Sequence, residues 1–205
     1  MDNKRIRAHD LVWISGDSHL YSLSHPEWTR ESLRRAPVVV VRREQAPPDF
    51  VAIGIRGSYR EQRHAAMLPL CDVRACRTPE FLAAERGWLC GTTKISAPFC
   101  KALSAVDEYC LKEELAWGPI GGVGYQLATR TAVTDVHSDL DVMIRCDGPP
   151  DRNQLRMFDE HLDRAPVRID VLLEGPCGGV AMREYLSCAD VLIKDSQGAR
   201  IGPFI

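Results

Sequence analysis

The sequence predicts an α+β protein in two parts: a small N-terminal domain of strands mixed with helix (residues 1–88) and a larger domain with a mixed sheet (89–205). Three observations carry this. The β-branched runs PVVVVRR (37–43) and FVAIGIRG (50–57) flank the turn QAPPD, the pattern of an antiparallel hairpin. From residue 98 onward, helical and strand patterns alternate. Charge also changes along the chain. Residues 1–100 hold 15 Lys+Arg against 11 Asp+Glu (+4), and residues 101–205 hold 11 against 17 (−6).

In the first part, HDLVWI (9–14) reads as a strand. HPEWTRESLRRA (25–36) reads as a short helix, with Ser24 as cap, Pro26 in its first turn, and Trp28 and Leu33 as apolar contacts. After the hairpin, GSYREQRHAAML (57–68) reads as a loop entering a helix. TPEFLAAE (78–85) opens a helix, with Thr78 at the N-cap and Pro79 at the first helical position. The pattern weakens over RGWLCGTTKIS (86–96), which sets the boundary near 88.

In the second part, Phe99, Leu103, Val106 and Cys110 recur at one helical face, predicting a helix over 98–115. WGPIGGVG (117–124) is a short strand end and a glycine-rich turn, continued as helix by YQLATR. SDLDVMIR (138–145) is a strand, NQLRMFDEHLD (153–163) a helix, and VRIDVLLEG (167–175) a strand. GGVAMREYLS (178–187) reads as a helix and DVLIKD (190–195) as the last strand.

Of the 205 residues, 45% are hydrophobic and 26% charged, values of a globular chain with a real core. No apolar run approaches the ~18 residues needed to span a bilayer, and MDNKRIRAHD has no signal-peptide character, so a cytoplasmic protein without a membrane partner is expected. Eight cysteines are then mostly reduced. Cys71 and Cys76 form the only close pair, with no second pair to complete a zinc set. A net charge of −2 implies no partner by itself; the basic first half allows an anionic ligand or partner and the acidic second half a metal, and nucleic acid is not expected as a partner.

The chemistry concentrates in the second half. Strand side chains alternate faces, so Asp139, Asp141 and Met143 share one face of SDLDVMIR while Leu140, Val142 and Ile144 share the other. Two neighbouring carboxylates repel unless one is protonated or a cation joins them. Mg²⁺ or Mn²⁺ suits such a set and leaves positions for water and phosphate. Asp170, in VRIDVLLEG, joins the pair if its strand lies alongside; its bland reading is a salt bridge to Arg168 or Arg145. Gly118, Gly121, Gly122 and Gly124 precede the aspartate strand and a helix start, where backbone N–H groups can approach phosphate. The run matches neither a P-loop nor a dinucleotide fingerprint, and alone it reads as a plain loop. Arg56, Arg60 and Arg63 are spaced 4 and 3, so a helical turn could align them as a phosphate clamp or as a solvated basic helix paired with Glu61.

A glycine pair, about sixteen residues, D-x-D and a distal aspartate together resemble the polymerase-beta type of nucleotidyltransferase. The resemblance implies that Gly121 and Gly122 contact phosphates and that Asp139, Asp141 and Asp170 bind a divalent metal. A narrower resemblance covers nearly the whole chain. RAHDLVWI (7–14), PVVVVRR, VAIGIRGSYREQRHAA (51–66), WGPIGGVGYQLATR (117–130) and SDLDVMIR are similar to the phosphoribosyl-dephospho-CoA transferases of malonate decarboxylase, also called its holo-acyl-carrier-protein synthases.

That resemblance implies a triphosphoribosyl-dephospho-CoA substrate and a serine on the acyl-carrier protein of malonate decarboxylase as nucleophile, with pyrophosphate released. The absence of a Ser/His/Asp or Cys/His arrangement fits a nucleophile supplied by the partner. Asp139 and Asp141 are then the main metal ligands, Asp170 a further ligand or a base, and Ser138 a hydrogen-bond donor to the triphosphate. Other readings of the same residues are a nucleotidyltransferase with a small-molecule, RNA or other protein acceptor, and a non-catalytic binding subunit retaining the fold. Trp117, Tyr125 and Gln126 flank the glycine turn and are either substrate contacts or packing groups. His9 and Asp10 are expected to tie down the first strand.

Overall fold

The computed structural model describes residues 6–15, 20, 24–59, 61–91, 93–135 and 137–204. It is an α+β structure of two compact units, Met1–Thr78 and Pro79–Ile205.

The first unit contains β1 (Leu11–Ile14), α1 (Glu27–Arg35), β2 (Val38–Val41), β3 (Phe50–Arg56), β4 (Arg63–Pro69) and β5 (Val73–Arg77). They form an antiparallel sheet in the order β4-β3-β2-β1-β5. Val12, Val39, Ile53 and Leu68 are fully buried in its core, with Trp28 and Leu33 of α1 packed against them. The hairpin read from PVVVVRR and FVAIGIRG is β2–β3. Pro26 rather than Ser24 is the N-cap of α1, and no side chain caps it. Asp10 is buried; its carboxylate accepts from the Arg7 N–H at 2.9 Å, and its carbonyl accepts from Val41 N at 2.8 Å. It thereby ties the start of β1 down.

Residues 63–68 form a strand, not a helix. His64, Ala66 and Leu68 alternate toward the core, and β4 pairs with β3 from Phe50↔Pro69 to Arg56↔Arg63. Helix-favouring residues in HAAML yield to this half-buried pleated surface, where period-2 burial is satisfied.

The second unit contains α2 (Pro79–Glu85), α3 (Ala97–Lys112), β6 (Trp117–Pro119), α4 (Gly121–Thr129), β7 (Leu140–Arg145), α5 (Arg152–Leu162), β8 (Ile169–Gly175), β9 (Gly178–Ala181), α6 (Met182–Ser187), β10 (Val191–Lys194) and β11 (Ala199–Gly202). The six strands are ordered β11-β10-β9-β8-β7-β6; β7 and β8 run parallel and the other neighbours antiparallel. The α3 residues buried are Phe99, Ala102, Leu103, Val106 and Cys110, the face read from spacing plus one alanine. Leu155, Phe158 and Leu162 of α5 are likewise buried. Trp88 and Trp117 lie in this core with ring centroids 6.0 Å apart, so Trp117 packs rather than lining a cleft. GGVAMREYLS divides: its first four residues fold back on β8 as β9 before the helix begins, and DVLIKD is followed by one more strand. A two-residue turn brings Gly178, at φ +124°, opposite Gly175, a conformation glycine permits and a helix start does not need.

Candidate functional site

Leu140, Val142 and Ile144 are buried on the core face of β7, as their alternation predicts. Met143, on the carboxylate side, is also fully buried. The carboxylate face is thus accessible at the N-terminal end of the strand, where Asp139 and Asp141 are both half-buried. Asp139 precedes the first strand residue, and the next peptide anchors it: Leu140 N donates to the Arg168 carbonyl at 2.9 Å.

The parallel pairing of β7 with β8 sets Asp141 directly beside Asp170. Neighbouring strands lie about 4.8 Å apart. Residues in register on adjacent strands also share a face, so the two carboxylates emerge together. Asp170 Oδ1 accepts from Arg168 Nε at 3.1 Å, an exposed pair. The salt bridge foreseen as the bland reading of Asp170 is therefore present together with the register that joins it to Asp141.

β6 brings the glycine turn to the same place. Gly118 pairs with Met143 and Pro119 with Val142, and Ile120 N then donates to the Asp141 carbonyl at 2.9 Å. Gly121 follows at φ +61°, and a Cβ built on it would collide with the Asp141 carboxylate. Only glycine meets both demands. Helix α4 begins at this residue, so the glycines form its first turn rather than a separate loop. Gly121 is exposed and Gly122 half-buried. First-turn N–H groups lack intrahelical acceptors and mark the positive end of the helix dipole.

Ser138 lies in the loop before Asp139. Its hydroxyl donates to Asp135 Oδ1 at 3.1 Å and accepts from Asp135 N at 3.0 Å. The His137 N–H also donates to that carboxylate at 2.9 Å. These bonds, the backbone one from His137 foremost, hold the Asp135 carboxyl below the usual carboxylate range.

Tyr125 and Gln126 are buried, not turned to a ligand. Gln126 Oε1 accepts from Val133 N at 3.0 Å, Thr134 N at 3.2 Å and Thr134 Oγ1 at 2.8 Å. Its Nε2 donates to the Lys94 carbonyl at 3.1 Å. Nothing local in GYQLATR distinguishes this glutamine from a surface one, because its partners are seven, eight and thirty-two residues away.

Arg56 and Arg63 do not lie on a helical turn. They are register partners in the β3–β4 hairpin, which still sets them on one face. Arg56 is half-buried and Arg63 exposed. Arg60, the third residue of the expected clamp, lies outside the described residues. His64 packs edge-on against Trp28 and His25, and burial with the neighbouring His25 charge lowers its pKa.

The donor chemistry suits a hard divalent cation: three carboxylates, two of them in register, beside a glycine turn. Among the described residues no group of three or more His, Cys, Asp or Glu side chains is already gathered to hold an ion. Asp170 is instead engaged with Arg168. Releasing an exposed pair of this kind costs about 0–1 kcal/mol. All eight cysteines are free thiols, Cys71 and Cys76 among them. Among the described residues, no helix is long and apolar enough to cross a membrane.

No solved structure matches this chain. Its sequence, in contrast, matches the family models for the C-terminal domain (residues 90–203) and the N-terminal domain (residues 7–79) of phosphoribosyl-dephospho-CoA transferase MdcG. Curated relatives named phosphoribosyl-dephospho-CoA transferase are similar over both units. The protein from Azotobacter vinelandii is 41% identical over 95% of this chain and 92% of its own length. The one from Pseudomonas putida is 41% identical over the same shares. The one from Klebsiella pneumoniae (strain 342) is 37% identical over 95% and 93%. With the glycine turn, the D-x-D strand and the distal aspartate all inside the matched C-terminal span, the chain belongs to the phosphoribosyl-dephospho-CoA transferase MdcG family.

Proposed function

We propose that this chain is a nucleotidyltransferase-type enzyme that moves the phosphoribosyl-dephospho-CoA group from its triphosphate precursor to a serine of the malonate decarboxylase acyl-carrier protein, releasing pyrophosphate. The names borne by its relatives support the transferred group. The observation that carries the chemistry is the register of Asp141 with Asp170, with Gly121 seated on the Asp141 carboxylate.

In this reading the first-turn N–H groups of Gly121 and Gly122 receive oxygens of the triphosphate. Asp139, Asp141 and Asp170 hold Mg²⁺ or Mn²⁺. When bound, that ion draws negative charge from the phosphate oxygens at the reacting centre. The serine oxygen of the carrier bonds to the α-phosphorus. The bond from that phosphorus to the pyrophosphate oxygen breaks in line, and the serine proton is released. Ser138, fixed by Asp135, borders the triphosphate. Arg56, Arg60 and Arg63 bind phosphate oxygens of the substrate, as guanidinium forks do. The chain's own task is thus positioning and charge neutralisation, since the nucleophile arrives on the partner. Eight free thiols suit a reducing cytoplasm as the setting.

The test is direct. The protein is incubated with triphosphoribosyl-dephospho-CoA, Mg²⁺ and the acyl-carrier protein, and the carrier is weighed by mass spectrometry. A gain equal to the prosthetic group, with pyrophosphate liberated, is expected. A carrier left unmodified at saturating substrate sinks the reading.

A further inference from the structure

We infer that Gln126 is a positioning residue that fastens the loop leading to Asp139 onto the helix carrying the glycine turn. The inference rests on the metal-site reading of Asp139, Asp141 and Asp170 given above. Gln126 is 2% exposed, on the helix whose first turn carries Gly121 and Gly122. A buried primary amide must satisfy its donors and acceptor within the protein or forfeit their hydration. Gln126 does so with two separate loops. Its oxygen receives two backbone N–H groups and one hydroxyl, from Val133 and Thr134. Its nitrogen donates to the carbonyl of Lys94, a residue held at φ +53°. Non-glycine residues seldom adopt that region and persist there where their surroundings hold them.

The geometry explains why this matters for the site. The loop 131–139 leaves α4 at its C-terminal end and must return to place Asp139 at the start of β7, near the other end of the helix. Asp141 is held by strand pairing and by the Ile120 N–H. Asp139 has the Leu140–Arg168 hydrogen bond on one side and, on the other, a loop whose described residues 131–135, 137 and 138 carry no helix or strand. Among the described residues that loop is held by Gln126 at 133–134, by Thr129 Oγ1, which accepts from Thr131 N, and by the Asp135 carboxylate, which binds His137 N and Ser138. Gln126 therefore supplies a buried link between the helix bearing the phosphate-binding glycines and the loop leading to the first aspartate. It acts on Asp139 through the loop backbone, so its loss should weaken metal affinity by less than the roughly 10- to 100-fold typical of groups bonded directly to a ligand.

Two variants of the full chain test this, Gln126→Met and the milder Thr134→Val, which deletes only the hydroxyl donor. Mn²⁺ affinity is measured by isothermal titration, and amide hydrogen exchange is followed by mass spectrometry. Gln126→Met should bind Mn²⁺ roughly 5- to 10-fold more weakly, below the range for loss of a group bonded directly to a ligand, with faster exchange over 131–139 and little change in β7 and β8. Thr134→Val should weaken Mn²⁺ roughly two- to fivefold and lower the melting temperature slightly, since one neutral hydrogen bond is lost. Should Gln126→Met fail to fold, Thr134→Val decides. Wild-type Mn²⁺ affinity in the folded variants overturns the positioning role. A wild-type chain that binds no Mn²⁺ overturns the metal reading, and the inference falls with it.

Discussion

Gly121 lies with its Cα against the carboxylate of Asp141, at a φ of +61° that side-chain-bearing residues rarely adopt. One contact thus joins the turn read as phosphate-binding to the carboxylate read as metal-binding, although twenty residues separate them.

Gly121→Ala tests that contact. The left-handed conformation costs an alanine about 1–2 kcal/mol, and the added methyl group displaces the Asp141 carboxylate. Denaturant unfolding should register the modest loss of stability. Transfer to the carrier should fall about 100-fold, the scale expected when a reacting group moves by about 1 Å. Wild-type transfer in a variant destabilised as expected would separate the glycine from the chemistry.

Asp141→Asn should have opposite effects on stability and activity. Asp141 and Asp170 are register partners of like charge. Neutralising one relieves repulsion, so the melting temperature should hold or rise. Transfer should fall below detection, together with Mn²⁺ binding. A variant that unfolds earlier while still transferring would mean the carboxylate serves the fold.

Arg63→Gln probes the hairpin pair. Arg56 and Arg63 stand opposite each other, where like charges are unfavourable. Removing the exposed member should leave the melting temperature unchanged. A hydrogen bond to a charged group is worth about 1.5–3 kcal/mol, so KM for the triphosphate substrate should rise roughly tenfold or more with kcat little altered. An unchanged KM would leave the pair a solvated basic surface.

The buried thiols set a stability limit at high pH. Burial pushes the Cys146 thiol up to about 11, with Asp147 and Glu174 adding and Arg145 opposing. Burial also pushes Cys110 up, assisted by Asp107. The native chain therefore retains protons that the unfolded chain loses once pH passes the ordinary thiol value of 9.0. Stability from these groups is complete below about pH 9 and declines as pH climbs toward 11. Denaturant midpoints measured from pH 7 to 10.5 should be flat at first and then fall. Cys146→Ala should flatten the fall at the cost of a small cavity.

Most of the local pattern was legible in residue spacing alone. Leu140, Val142 and Ile144 announced a core face by alternation, leaving Asp139 and Asp141 on the other. Phe99 to Cys110, and Leu155 to Leu162, announced helical faces, because side-chain period reports which side of an element is buried. It missed the strand at 63–69, where helix propensity competes with a pairing partner seven residues away at one end and nineteen at the other.

Which elements meet is settled by strand pairing and packing across the folded chain. The parallel register that puts Asp170 beside Asp141 depends on hydrogen bonds across a helical crossover. The local partner Arg168 holds Asp170, while the other candidate, Arg145, is engaged by the distant Glu80. The collision that makes Gly121 obligatory exists only because β6 pairs with β7. Gln126 gave no local signal, since periodicity marks it as one more helical residue while its role lies in two distant loops. Local sequence encodes burial through spacing, whereas contacts at long sequence separation arise when the whole sheet forms and each buried polar group finds its partner.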